Sequence, residues 1–77
     1  MMVSKEIGPR LRQIREHLVE TQTVFAQRFG LSRDDVANYE LGRCDIPTRV
    51  LAELDRMGIN LSWLLNGLDE MFGESRG

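Results

Sequence analysis

The sequence predicts an all-α fold, a compact five-helix bundle, on three observations. Apolar residues recur at helical spacing, with Ile7, Leu11, Ile14 and Leu18 stepping by four, three and four. Glycines at 30, 42, 58 and 67 close apolar-periodic runs, and Thr21, Ser32 and Asn60 or Ser62 stand just before them. No stretch alternates apolar and polar residues in the manner of a strand, and no internal repeat or low-complexity segment interrupts the pattern.

The elements follow in order. The first helix is placed from near Gly8, because Pro9 fits best at a first helical position, where its missing N–H costs nothing. Ser4 is the alternative cap for an earlier start. Thr21 caps a second helix over about residues 22–29, whose apolar set is Val24, Phe25, Ala26 and Phe29. Ala26 is small where this helix would cross the next. Gly30 turns the chain sharply, since glycine reaches positive φ without a Cβ clash. Ser32 caps a third helix over about 33–40 that carries Val36 and Tyr39, and Gly42 suits its C-terminal stop. A polar loop closed by Pro47 leads to a fourth helix from about Thr48, with Val50, Leu51, Leu54 and Met57 on one face. Asn60 or Ser62 caps a short fifth helix holding Trp63, Leu64 and Leu65, with Trp63 expected as the plug of the core. Residues 1–67 are thus expected to form one domain, and 68–77 a polar tail interrupted by Met71 and Phe72.

At 77 residues the chain buries a limited core. Its one cysteine excludes an intramolecular disulfide and suits a reducing compartment. There is no run of membrane-spanning length, and the N-terminus lacks the apolar centre of a secretory signal. The expectation is a soluble intracellular protein, either complete or a natural N-terminal domain. Net charge is −2, but it is unevenly spread: residues 1–49 carry +1 and residues 50–77 carry −3. The acidic excess lies in the C-terminal third, and the whole predicts weak non-specific affinity for nucleic acid. His17 has no second ligand at metal spacing, and Cys44 has no base beside it in the sequence pattern. No glycine-rich phosphate loop is present. The chain is therefore expected not to be an enzyme and to need no metal, cofactor or small-molecule substrate.

Residues 22–41 combine a short amphipathic helix, a glycine turn and a second capped helix, the pattern of a helix-turn-helix. The chain resembles the N-terminal DNA-binding domains of lambdoid phage repressors and their bacterial relatives. The resemblance rests on Arg12 and Arg15, Thr21-Gln22, Phe25-Ala26, Phe29-Gly30-Leu31-Ser32, Val36, Tyr39-Glu40, Gly42, Pro47 and Trp63-Leu64-Leu65-Asn66-Gly67. It covers about residues 7–67. Two departures stand out. The loop before Thr21 holds Val19-Glu20 where the family often carries Gly-Leu, and the third helix opens with Asp34 and Asp35 where uncharged polar residues are commoner.

The resemblance implies a sequence-specific double-stranded DNA-binding regulator, most simply a cytoplasmic repressor, bacterial or phage-encoded, that binds a two-fold operator as a homodimer. It places the first turn of the third helix in the major groove. Arg33, Asp34, Ala37 and Asn38 then face base edges: Arg33 suits guanine O6 and N7, Asn38 adenine N6 and N7, Ala37 a thymine methyl, and Asp34 cytosine N4. Asp35 instead favours the positive end of the helix. Thr21, Gln22, Thr23 and Arg43 are the expected phosphate contacts, with Arg10 and Arg12 as lesser ones. Arg15 and Glu40 are expected as a structural bridge that fixes the angle of the reading helix. Leu64, Leu65, Leu68, Met71 and Phe72 are candidates for a two-fold dimer contact, or for a tail folded back on the core. The low basicity and the aspartates also fit a rival of the same fold, a protein-binding module of antirepressor or antitoxin type. Activation rather than repression is a third possibility.

Overall fold

The computed structural model describes residues 4–72. Within them the chain is all-α, with helices α1 (Ser4–His17), α2 (Gln22–Arg28), α3 (Arg33–Glu40), α4 (Thr48–Arg56) and α5 (Leu61–Asn66). The chain divides into two units, Met1–Asp45 and Ile46–Gly77. Among the described residues no helix is long and apolar enough to cross a membrane.

In the first unit α3 packs on both α1 and α2. Leu11 and Ile14, the middle of the periodic stripe on α1, are buried, as are Phe25, Ala26, Phe29 and Val36. The stripe's ends, Ile7 and Leu18, are half-buried, and Val24 lies at the surface. Phe25 and Phe29 meet edge to face with ring centroids 5.0 Å apart, a favoured aromatic geometry. The turn after α2 closes with two reversed bonds: the Leu31 N–H donates to the Ala26 carbonyl and the Gly30 N–H to that of Gln27. With Gly30 at φ 68° this is a Schellman stop.

The beginning of α1 differs from the sequence reading. The helix starts at Ser4, four residues before Gly8, and Pro9 lies inside it. Proline cannot donate to the carbonyl of residue 5, so this turn gives up one helical bond. Gly8, near which Pro9 placed the helix start, is a packing position. A Cβ there would lie 2.5 Å from the carbonyl oxygens of both Tyr39 and Glu40. The missing side chain lets α1 rest directly on the last turn of α3.

The end of α1 is also unusual. The Glu20 N–H donates to the Arg15 carbonyl and the Val19 N–H to that of Glu16, the same stop as after α2. Here the left-handed position is held by Val19, at φ 58° and 90% exposed. A β-branched residue is strained in that conformation, and it packs on nothing that would compensate.

In the second unit α4 packs on α5. Val50, Leu54, Ile59 and Leu64 are buried. Gly58, at φ 94°, stops α4, and Asn60 caps α5 by accepting from the Ser62 N–H at 3.0 Å. Trp63 is half-buried, so it does not plug the core; Leu64, one residue on, is the buried member of α5. Residues 68–72, the start of the expected tail, fold back, as one of its two readings had it. Ile59 and Phe72 form an antiparallel bridge, and the Asn60 N–H donates to the Met71 carbonyl at 2.7 Å. Residues 73–77 of that tail lie outside the described residues.

Two substitutions test these backbone readings. Gly8→Ala should destabilise by about 2 kcal/mol through overpacking, although helix propensity alone would make it stabilising. Val19→Gly should stabilise by about 1 kcal/mol by relieving the left-handed strain. Urea unfolding followed by circular dichroism reads both signs.

Candidate functional site

The features of the chain that could recognise a partner gather on α3 and on the start of α2. Ser32 and Asp35 begin α3 with a reciprocal capping box. Ser32 Oγ accepts from the Asp35 N–H, and Asp35 Oδ2 accepts from the Ser32 N–H, each at 3.0 Å. Asp35 is therefore committed to the helix end. The periodicity then sorts the side chains. Val36 and Glu40 face inward and are buried. Arg33 and Asp34 stand in solvent, their side chains 58% and 81% exposed, while Ala37 and Asn38 are half-exposed. The four expected base-reading residues thus share the outer side of one helix. Arg33 and Asp34 are paired with each other at 3.3 Å.

Beneath this face lies a chain of hydrogen bonds. Arg15 forks onto Glu40, with Nε to Oε2 at 2.6 Å and Nη2 to Oε1 at 3.2 Å. Its Nη1 donates to the Glu20 carbonyl at 2.9 Å. The expected bridge between α1 and α3 is present, and both side chains are largely withdrawn from water, at 14% and 5% exposure. The bond to Glu40 raises the Arg15 pKa above its ordinary value and outweighs the opposing effect of burial. Gln22 adds to the network: its Nε2 donates to Glu40 Oε1 at 3.1 Å, and its Oε1 accepts from Arg33 Nη1 at 3.2 Å. Gln22, expected as a phosphate contact, is thus engaged within the chain. Nothing in the sequence spacing marked that link, because it joins residues eleven and eighteen positions apart.

The other expected phosphate contacts are at the surface. Thr21 and Thr23 are exposed, and Thr21 Oγ1 accepts from the Val24 N–H as the cap of α2. Arg43 is exposed just beyond α3, where its N–H donates to the Asn38 carbonyl. On α1, Arg12 pairs with Glu16 at 2.9 Å and Arg10 with Glu6 at 3.6 Å. Arg28 forks onto Glu20. Much of the positive charge of this unit is therefore already matched by nearby carboxylates.

A concavity of about 280 Å³ opens beside the outer face, lined by Arg12, Arg15, Gln22, Ala37, Glu40 and Leu41. Leu41 is 63% exposed. The sequence reading did not single it out, yet the step of four from Ala37 is a visible signal that it continues the same stripe. Of the dimer candidates, Leu64 is buried within its own chain and offers no surface to a second copy. Leu65, Leu68 and Phe72 are exposed and Met71 is half-buried. Among the described residues, no group of three or more His, Cys, Asp or Glu side chains is placed to hold a metal ion. Cys44 is a free, exposed thiol.

The ion pair can be tested directly. Arg15→Met should cost about 3 kcal/mol, because it strands a buried carboxylate, whereas Arg15→Met with Glu40→Leu should cost clearly less than either single change. Thermal melts of the four proteins at one pH give the comparison.

No protein-family model, curated protein or solved structure matches this chain.

Proposed function

We propose that the chain is a sequence-specific double-stranded DNA-binding regulator of the lambda repressor-like kind, acting as a repressor that binds a two-fold operator as a homodimer. The observation that carries this reading is the division of labour on α3. Its inner side is anchored by Val36 and Glu40, while Arg33, Asp34, Ala37 and Asn38 on the outer side remain open to a duplex. With α2 and the turn at Gly30, this geometry suits a helix-turn-helix whose second helix enters the major groove. Thr21, Thr23 and Arg43 flank the face, where sugar–phosphate strands would pass. Leu65, Leu68, Met71 and Phe72 are the surface through which two copies would associate. Occupying a promoter would then exclude polymerase.

A specific observation favours a second reading. Leu41 is exposed beside Ala37, and the nearby cations are largely paired with acids. That surface would also suit a protein partner, with the same fold used as a scaffold. Ionic strength separates the two. DNA affinity should fall with rising salt, with a log–log slope on the order of −2 per bound subunit, since few free cations meet phosphate. A protein-binding module would show no DNA shift even at low salt.

Selection from a random duplex pool should return a two-fold consensus with half-sites about one helical turn apart. Arg33→Ala should erase the preference at one base pair of each half-site, by about tenfold. Leu68→Asp should reduce both the dimer fraction in sedimentation and the apparent DNA affinity. An unselective pool would count against the DNA reading, and a single unpaired half-site against the dimer.

A further inference from the structure

We infer that Asn66 is a site of self-modification, where the chain converts its own asparagine to aspartate and isoaspartate at a rate set by opening of the last turn of α5. The asparagines of the chain, at 38, 60 and 66, are followed by Tyr39, Leu61 and Gly67. Conversion begins when the amide nitrogen of the next residue attacks the asparagine Cγ, and a side chain on that residue crowds the attack. Glycine has none, so Asn66-Gly67 is the reactive pair. Both residues are exposed, and water reaches them.

The chemistry needs only water and hydroxide. Hydroxide takes the Gly67 N–H proton, and the nitrogen bonds to Asn66 Cγ. The Cγ–Nδ2 bond then breaks, and Nδ2 takes a proton from water and leaves as ammonia. The product is a cyclic imide, which water opens at either carbonyl. Cleavage at Cγ restores the ordinary main chain, with aspartate at position 66. Cleavage at the main-chain carbonyl leaves isoaspartate, whose main chain runs through Cβ and Cγ. A water enters, an ammonia leaves, and nothing is oxidised or reduced.

The fold holds this reaction in check. Asn66 is the last residue of α5, and Gly67 follows in the left-handed region at φ 75° and ψ 20°. The Gly67 N–H, whose proton must leave, donates to the Trp63 carbonyl at 2.8 Å. Helical ψ at Asn66 also turns the Gly67 nitrogen away from Cγ. Both restraints end when the last turn unwinds. A helix of 6 residues unwinds readily, and the start of α5 is held by Asn60 Oδ1, which accepts from the Ser62 N–H at 3.0 Å.

Isoaspartate cannot rebuild this stop. Its main chain is longer by a carbon, which displaces the Gly67 bond to Trp63 together with the Leu68 N–H bond to the Ser62 carbonyl at 3.2 Å. Residues 68–72 follow directly from this turn, and their fold-back is fastened by the Asn60 N–H on the Met71 carbonyl at 2.7 Å. The modification therefore releases the fold-back of the second unit. The inference rests on this turn alone and does not depend on the proposed function.

The experiment incubates the full chain at mildly alkaline pH in water enriched in heavy oxygen, folded or unfolded in urea, and maps the label by peptide mass. Label should enter at Asn66 and pass over Asn38, more slowly in the folded chain than in urea. Asn60→Ala removes the α5 cap and should speed conversion of the folded chain about fivefold, with the urea rate unchanged. Should Asn60→Ala unfold by circular dichroism, wild type in sub-denaturing urea carries the test. Opening one turn exposes little surface, so the rate should stay nearly flat until the global transition. Equal rates in the folded and urea-unfolded chain, or a rate that follows global unfolding, would overturn the gate. A folded chain that takes up no label while the urea sample converts would overturn the site. The isoaspartyl form, separated by chromatography, should exchange its Asn60 amide faster than fresh chain or Asn66→Asp. Unchanged protection of that amide would overturn release of the fold-back.

Discussion

The first unit depends on one buried ion pair. Arg15 comes from the last turn of α1 and Glu40 from the last residue of α3, and their fork fixes the angle between the two helices. A buried pair of this kind is a weak source of net stability, because desolvation offsets most of the attraction. Its value is geometric. A guanidinium and a carboxylate meet well only in a narrow range of planes. Gly8 acts in the same place by a different means. It brings α1 within reach of the Tyr39 and Glu40 carbonyls, so the helices approach closely where the charges must meet. Removal of a side chain at Gly8 and placement of two charged ones at Arg15 and Glu40 are complementary devices.

Under the proposed function, this arrangement accounts for how a unit with little net charge would present a selective surface. Most cations on α1 and α2 are spent on neighbouring carboxylates, among them Arg12 on Glu16 and Arg28 on Glu20. The long-range field is therefore weak. What remains is short-range: a few donors and acceptors on the outer side of α3, held by contacts from behind. Such a surface would discriminate more through geometry than through attraction.

The helices, their caps and most of their stops were legible because they depend on local chemistry. Thr21 and Ser32 cap as read, and Gly30, Gly42, Gly58 and Gly67 all occupy the left-handed region. The bridge between Arg15 and Glu40 was legible only through a resemblance, since nothing local connects residues twenty-five positions apart. Gly8 and Pro9 misled for a physical reason. Proline is favoured at a first helical position, but here Pro9 is tolerated inside α1, and Gly8 beside it answers a tertiary demand. Trp63 misled through its size, as the smaller Leu64 takes the buried position on α5. The engagement of Gln22 was beyond reach, because it requires knowing which end of an amide meets which neighbour.

Among the described residues each of the five helices is followed by a left-handed residue, at Val19, Gly30, Gly42, Gly58 and Gly67, and the first of these joints is the one without glycine. The weakest joint therefore lies at the seam between α1 and α2, and the next residue along, Glu20, lends its carbonyl to Arg15. Fraying there would not stay local. It would loosen a ligand of the guanidinium that grips Glu40, and so reach the last residue of α3 through a single side chain.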